Sequence, residues 1–165
     1  MSLFKEMDPT LKRALGMAMG YLSIRSRSIQ EIKNYLSKKE FTPVIVEQAI
    51  LWLKQENYLD DKLFARNYLE NRKKNKPKSI YALGYELAQK GIASAIIDPL
   101  LVEYDDLELA LLAVLPKIKS WQHLEMEVFK KKMFNFLRYR GFGFSVIQAT
   151  WERIFSSISN PDPSQ

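Results

Sequence analysis

Apolar residues recur along the chain at the three- and four-residue spacing of amphipathic helices. Leu11, Leu15, Ala18 and Leu22 lie on one face of a helix that this spacing predicts over residues 9–24. The same period returns in the following segments, and no alternating apolar–polar stretch of useful length suggests a strand. The pattern therefore predicts an all-α protein.

Helix starts carry capping signals. Ser28 and Glu31 have the spacing of a capping box, in which each side chain accepts a backbone N–H from the other end of the first turn. Proline at the first helical position supports two further starts, at Pro9 and Pro43. The predicted N-caps of the other early helices are Asp8, Thr42, and Asp60 or Asp61.

An internal repeat underlies the helical pattern. Phe41, Ile92 and Phe142 each follow a short turn after a helix, at offsets of 51 and 50 residues. The same offsets align Leu36 with Leu87 and Leu137, Ile45 with Ile96 and Val146, and Ser28 with Ser79. The turns contain Gly91 and Gly141, as a left-handed helix C-terminus prefers, whereas the first has Glu40 in that position, which implies strain or a different turn.

The repeat predicts a tandem array of three three-helix units, over residues 9–58, 59–104 and 105–157, followed by a flexible tail at 158–165. Because short helices bury their apolar faces against neighbouring units, we expect an elongated, curved molecule. Pro99 is expected to kink or break the sixth helix. The acidic stretch from Glu103 to Asp106 is the expected junction between the second and third units.

Composition narrows the class of protein. A net charge of +6 and a pI near 9.4 suit a partner that is acidic or bound to nucleic acid. The absence of cysteine excludes disulfides and thiolate zinc sites. No apolar run approaches the length of a membrane span, and residues 1–8 lack the apolar core of a signal peptide. We therefore expect a cytoplasmic protein without a membrane segment. A monomer is a further expectation.

No constellation of residues indicates catalysis. Asp60 and Asp61 could share a metal ion, but carboxylates directly before a helix are better placed to cap it. His123 is the only histidine and lies in a polar turn, and no glycine-rich loop has phosphate-binding spacing. We therefore expect a protein that is not an enzyme and has no metal ion or cofactor.

Basic clusters are the strongest functional signal. One basic run connects two predicted helices. A second lies along the predicted eighth helix, with aromatic residues interleaved, and a pair of arginines precedes the second helix. A solvated surface is the alternative interpretation, and Arg27 could instead pair with Glu31 or with another carboxylate of its own unit. The candidate contact residues are Arg25, Arg27, Arg72, Lys73, Lys74, Lys76, Lys78, Lys130, Lys131, Lys132, Arg138 and Arg140.

The order of short motifs resembles that of the RecX family. The motifs are Arg25-Ser26-Arg27-Ser28, Glu31-Ile32, Tyr35-Leu36, Tyr58-Leu59-Asp60-Asp61, Phe64-Ala65, Tyr68, Glu86-Leu87 and Lys90-Gly91-Ile92. The resemblance extends from about Leu11 to Ile154 and is weakest in the third unit.

This resemblance implies a tandem three-helix fold and a role in recombination, DNA repair and the SOS response. It implies RecA as the partner, bound as a filament on single-stranded DNA, with filament growth, ATP hydrolysis and strand exchange mainly inhibited. Weak, non-specific DNA binding is a further expectation. The alternatives are a direct DNA-binding protein, with the helix over residues 28–39 as recognition element, and a helical scaffold for protein interactions.

Overall fold

The computed structural model describes residues 6–161, which form nine helices and no strand. The helices are α1 Pro9–Ile24, α2 Ile29–Lys38, α3 Pro43–Gln55, α4 Asp61–Asn75, α5 Ile80–Gln89, α6 Ser94–Leu101, α7 Asp106–Trp121, α8 Met126–Tyr139 and α9 Phe144–Ser159. The predicted all-α class is confirmed. Within residues 6–161, no helix combines the length and apolarity needed to cross a membrane.

The predicted caps account for where the early helices begin. The Asp8 carboxylate accepts the Thr10 N–H at 2.7 Å, and Ser28 and Glu31 form both hydrogen bonds of the capping box. Thr42 accepts the Ile45 N–H at 3.4 Å. Asp60, rather than Asp61, caps α4, because its carboxylate accepts the Leu63 N–H at 3.0 Å.

The three repeat turns share one backbone conformation. Glu40, Gly91 and Gly141 have φ values of 65°, 79° and 92°, all in the left-handed region. A non-glycine residue there brings its Cβ close to a carbonyl oxygen, so the turn at Glu40 is strained rather than different in kind.

Pro99 does not break α6, so that part of the prediction is wrong. The helix continues to Leu101, although it is short, at 8 residues. Proline removes one donor to the Ala95 carbonyl, and Ala95 is exposed, so water can satisfy that oxygen. Helix α9 extends to Ser159, into the predicted tail, whereas residues 162–165 of that tail and residues 1–5 lie outside the described range.

The chain divides into two compact units. One comprises the described chain up to Asn67 together with Leu87–Ile97. Its core lies among α1, α2 and α3, where Leu15, Ile32 and Leu53 are fully buried. Burial of aliphatic side chains at this helical spacing is what holds the three helices together.

The second unit comprises Tyr68–Glu86 and the described chain from Asp98 onward. Helices α7, α8 and α9 pack against one another there, with Val114, Met133 and Leu137 buried. The Phe129 ring meets Trp151 edge-on, with ring centroids 5.4 Å apart. This packing leaves one side of α8 exposed.

In each unit, residues of a later repeat form hydrogen bonds with the start of an earlier helix. In the first unit, the Ser28 hydroxyl donates to the Lys90 carbonyl at 2.6 Å, and Asp61 accepts the Ile29 N–H at 2.9 Å. In the second unit, the Ser79 N–H donates to the Arg140 carbonyl at 3.1 Å. Asp106 there accepts the Ile80 N–H at 2.7 Å. The aligned residues Ser28 and Ser79 thus each donate to a carbonyl of a later turn, Ser28 through its hydroxyl and Ser79 through its backbone N–H.

Candidate functional site

The first predicted basic run occupies the end of α4 and the turn before α5. Arg72 and Lys78 both pair with Glu86 of α5: the Arg72 Nε lies 3.2 Å from its Oε2, and Lys78 donates to its Oε1. The Tyr68 hydroxyl donates to Glu86 at 2.6 Å and accepts from the Arg72 guanidinium at 3.0 Å. Glu86 is therefore the centre of an internal ion-pair network.

Electrostatics in this network favour the charged carboxylate. Burial opposes ionisation of Glu86, but the hydrogen bonds from Lys78 and Tyr68 and the charge of Arg72 prevail, so the pKa of Glu86 lies below its usual value. Burial and the bond to Glu86 raise the pKa of Tyr68. Arg72 and Lys78 thus have partners within the protein, and a ligand would have to compete for them.

The remaining lysines of this run differ in exposure. Lys73 pairs with Glu108 at 2.8 Å and lies 5.7 Å from the centre of the Tyr104 ring. Lys74 and Lys76 are exposed. Of the whole run, these two are the most accessible to a partner.

Arg140 is a structural residue of the second unit. Its guanidinium donates to the Pro77 carbonyl at 3.0 Å and stacks over the Phe136 ring at 4.6 Å. Burial, with the charge of Arg72, lowers the pKa of Arg140. Breaking these contacts to bind a partner would leave the guanidinium partly buried without its acceptor.

Helix α8 presents the second basic run as the sequence predicted. Lys131, Asn135 and Arg138 are exposed on one side, and Lys132 is exposed as well. Lys130 is half-buried, with its ammonium 5.7 Å from the centre of the Phe134 ring and 5.9 Å from that of Trp151. Lys131, Lys132 and Arg138 are therefore the accessible cations of α8.

Arg25, and not Arg27, pairs with Glu31. The Arg25 guanidinium lies 2.7 Å from the Glu31 carboxylate, which Lys90 also approaches at 3.7 Å. Arg27 instead stacks over the Tyr21 ring at 3.7 Å. The predicted alternative of an Arg27–Glu31 pair is therefore wrong.

A cleft lies between α8 and α9. Its volume is about 270 Å³, and it is lined by Phe134, Asn135, Arg138, Phe142, Phe144 and Ile147. Phe142 and Ile147 are buried, whereas Phe144 is 73% exposed. Phe144 is not among the residues predicted from the sequence, because its position beside α8 depends on how the two helices pack.

The acidic pair makes hydrogen bonds to backbone N–H groups at helix starts. Asp60 caps its own helix, and Asp61 accepts the Ile29 N–H from another helix. Burial raises the pKa of Asp61, against the effect of that hydrogen bond. His123 is exposed. Among residues 6–161, no group of three or more His, Cys, Asp or Glu side chains has a metal-binding arrangement.

Comparison with family models gives two adjacent matches. Residues 14–53 match the first three-helix domain of RecX, and residues 60–101 match the second. These ranges correspond to α1–α3 and α4–α6, which supports the helical repeat.

Curated relatives extend the similarity to most of the chain. A regulatory protein RecX from Prosthecochloris aestuarii is 36% identical over 150 residues, covering 91% of this chain and 99% of the relative. One from Chlorobium phaeobacteroides is 34% identical, with the same coverage of both chains.

Solved structures share the fold. A crystal structure of RecX from Lactobacillus salivarius superposes with a TM-score of 0.73, at 19% identity, covering 88% of this chain and 97% of the other. A second crystal structure, of a regulatory protein RecX, has a TM-score of 0.69 at 23% identity and covers 86% of this chain and 71% of the other.

Proposed function

The chain belongs to the RecX family of regulatory proteins, and from this premise we propose that it binds the RecA filament on single-stranded DNA. Binding would inhibit filament extension, ATP hydrolysis and strand exchange in recombination and DNA repair. The observation that carries the proposal is the similarity to a regulatory relative over 91% of this chain and 99% of the relative. The protein would act in the cytoplasm, as a monomer, and as a regulator rather than an enzyme.

A ligand changes an assembly only through different affinities for its states. We propose that this protein binds the filament so as to block subunit addition or to bridge adjacent subunits. Either contact alters the balance between growing and shrinking filaments without any chemistry of its own. The all-helical fold and its basic charge of +6 are consistent with such a binding role.

Exposure and pairing divide ten of the twelve predicted contact residues into two groups. The other two, Arg27 and Lys130, are half-buried against aromatic rings and belong to neither. Arg25, Arg72, Lys73, Lys78 and Arg140 are held by contacts inside the protein. Recruiting Arg25, Arg72 or Lys78 to a partner would take a cation away from a largely buried carboxylate, which is costly. We therefore propose that the partner is contacted mainly by the accessible residues Lys74, Lys76, Lys131, Lys132 and Arg138.

The test is ATP hydrolysis by RecA on single-stranded DNA, titrated with this protein. Wild type is expected to lower the rate at substoichiometric amounts. The double variants Lys74→Glu/Lys76→Glu and Lys131→Glu/Lys132→Glu should each need about tenfold more protein for half inhibition, because each reverses two contact charges. The control is Lys38→Glu/Lys62→Glu, which makes the same charge change at exposed positions outside both runs.

Each outcome has a distinct meaning. No effect of folded wild type on ATP hydrolysis or filament length would contradict the proposed partner. If the Lys38→Glu/Lys62→Glu control loses as much inhibition as the variants of the basic runs, net charge and not these runs governs binding. Tight binding of the protein to single-stranded DNA without RecA, with inhibition following DNA occupancy, would favour the direct DNA-binding alternative.

A further inference from the structure

The cleft between α8 and α9 has the form of a receptor for one apolar side chain. Phe142 and Ile147 are buried at 3% and 2% exposure and form its base. Phe134 and Phe144 border it, with ring centroids 6.1 Å apart in an edge-on arrangement. A volume of about 270 Å³ exceeds that of cavities that hold a benzene molecule, so a leucine- or phenylalanine-sized group fits.

The third repeat departs from the other two at the residues that border this cleft. Its base residues keep their apolar character in all three repeats. The bordering residues change: Phe134 aligns with Gly84 and Lys33, Arg138 with Ala88 and Ser37, and Phe144 with Ser94 and Pro43. Since the other repeats fold with small or polar residues there, the fold does not require this aromatic and basic border.

An exposed phenylalanine at the border is unfavourable in free energy, because its apolar surface remains in contact with water. Phe144 is 73% exposed, and contact with an apolar group would remove much of that surface from solvent. Aromatic and arginine side chains around a small cleft are also the residue types that contribute most to protein interfaces. The border of the cleft is therefore suited to a protein partner.

The surroundings of the cleft are positively charged. Residues 126–159 contain six basic and two acidic side chains, the latter being Glu127 and Glu152. Asn135 and Arg138 line the mouth and are exposed. Helix α9 begins beside it at Gly143 without a side-chain cap, so the N–H groups of its first turn add positive potential. An anionic occupant is favoured.

We propose that this cleft receives an apolar side chain of RecA that is flanked in its own sequence by carboxylates. The apolar group would sit on Phe142 and Ile147 between the two border phenylalanines, and a carboxylate would pair with Arg138. This inference rests on the proposed function and adds to it the site and the chemistry of the segment recognised.

The principal test is Gly143→Asp. Gly143 has an ordinary φ of −77°, and a Cβ added there meets no atom within 4 Å. Aspartate would cap α9 and place a negative charge beside the cleft. We expect the melting temperature not to fall, while affinity for RecA filaments drops about tenfold.

The matched control is Ala93→Asp. Ala93 aligns with Gly143 in the second repeat and directly precedes α6, so the variant adds the same charge at the same position of a helix. It should leave filament affinity unchanged. Arg138→Glu and Phe144→Ala should each weaken binding about tenfold, with Lys38→Glu and Ile24→Ala as controls at exposed positions.

Binding of each variant to RecA filaments assembled on single-stranded DNA would be measured by biolayer interferometry. If wild type binds and Gly143→Asp, Arg138→Glu and Phe144→Ala bind equally well, the cleft proposal is wrong and Arg138 is not a contact residue, whereas the proposed binding to RecA filaments stands. If wild type does not bind, the proposed function fails, and the partner assigned to the cleft fails with it.

The chemistry of the occupant has its own test. A photoreactive p-benzoylphenylalanine in place of Phe144 should cross-link to a RecA segment that contains an apolar residue beside Asp or Glu. Cross-linking to a segment without carboxylates, or to the DNA, would overturn the proposal. The proposal would also be overturned if the cleft variants lost affinity for oligo-dT without RecA as much as they lose affinity for RecA filaments, because the occupant would then be a nucleobase.

Discussion

At the scale of single residues, charge in this protein serves both structure and surface. Glu86 holds Lys78 and Arg72, and Glu31 holds Arg25. Each of these carboxylates is mostly buried, so each depends on its cations to offset the loss of water. Basic residues that look alike in the sequence therefore differ in how available they are to a partner.

Glu86→Gln is expected to lower the free energy of unfolding by about 1–3 kcal/mol at pH 7, since it replaces charge-assisted hydrogen bonds. The folded protein holds the pKa of Glu86 below its usual value of 4.5. The stabilisation is thus present above that pH and is lost as the pH falls through the folded-state pKa. The difference from wild type should shrink toward pH 3.

Urea unfolding followed by circular dichroism between pH 3 and pH 7 measures this difference. Glu56→Gln, at an exposed position, is the control and should track wild type at every pH. A Glu86→Gln penalty that stays constant down to pH 3 would contradict the electrostatic explanation and indicate a packing effect.

At the scale of the helix, contacts between one helix start and another helix end explain why particular residues occupy these positions. Ser28 is fully buried, and its hydroxyl both accepts the Glu31 N–H and donates to the Lys90 carbonyl. The turn that carries Lys90 continues into Gly91, whose absent Cβ leaves room for Gln30. One helix start and one helix end thus fit together because a serine and a glycine occupy these positions.

Glu40 and Gly91 occupy equivalent left-handed positions, so exchanging residue types should have opposite effects. Glu40→Gly relieves strain and should raise stability by about 0.5–1 kcal/mol. Gly91→Ala should lower it by about 2 kcal/mol or more, because the new Cβ would lie 2.3 Å from the Gln30 Cβ in addition to the backbone strain. Thermal melting of both variants checks the pair.

Substitution at a helical glycine provides the control for these variants. A Cβ at Gly16 meets no atom within 4 Å, so Gly16→Ala changes helix propensity alone and should be mildly stabilising. If Glu40→Gly destabilised the protein, the side chain of Glu40 would have a role that outweighs its strained backbone.

At the scale of the whole molecule, the same contacts recur between successive repeats. Asp61 and Asp106 each accept a backbone N–H at the start of an earlier helix, at 2.9 and 2.7 Å. The carbonyls of Lys90 and Arg140, at aligned positions of two later turns, accept hydrogen bonds from Ser28 and Ser79 respectively. Stability in such an array depends on contacts with the next repeat as well as on each repeat's own core.

A fragment of residues 1–60 tests this dependence. It contains α1–α3 but lacks Asp61 and the Lys90–Gly91 turn, so the start of α2 loses two partners. It should melt at a lower temperature than a fragment of residues 1–101, which keeps both. The melting temperature of full-length Asp61→Ala should lie between those of the two fragments. Equal melting temperatures of the two fragments would show that the first repeat does not depend on contacts with the second.

Much of this architecture follows from the sequence alone, and the reason is the range of the interactions. Helix period, the Ser28 capping box and the left-handed glycines all depend on residues within about four positions of each other. The repeat offsets then place equivalent residues in equivalent environments. The exposed basic side of α8 is predictable for a similar reason, because helical geometry alone decides which residues share a face.

Tertiary structure alone decided which distant groups meet. Asp61 reaches Ile29 across 32 residues, Glu86 takes up cations that the sequence presented as free, and Phe144 completes a cleft with α8. Such contacts depend on how helices pack, and many pairings of similar charge and size are equally compatible with one sequence. The sequence by itself determined the helices, the starts of the early ones and the repeat, because these depend on neighbouring residues; packing determined which charges are neutralised inside the protein and which remain for a partner.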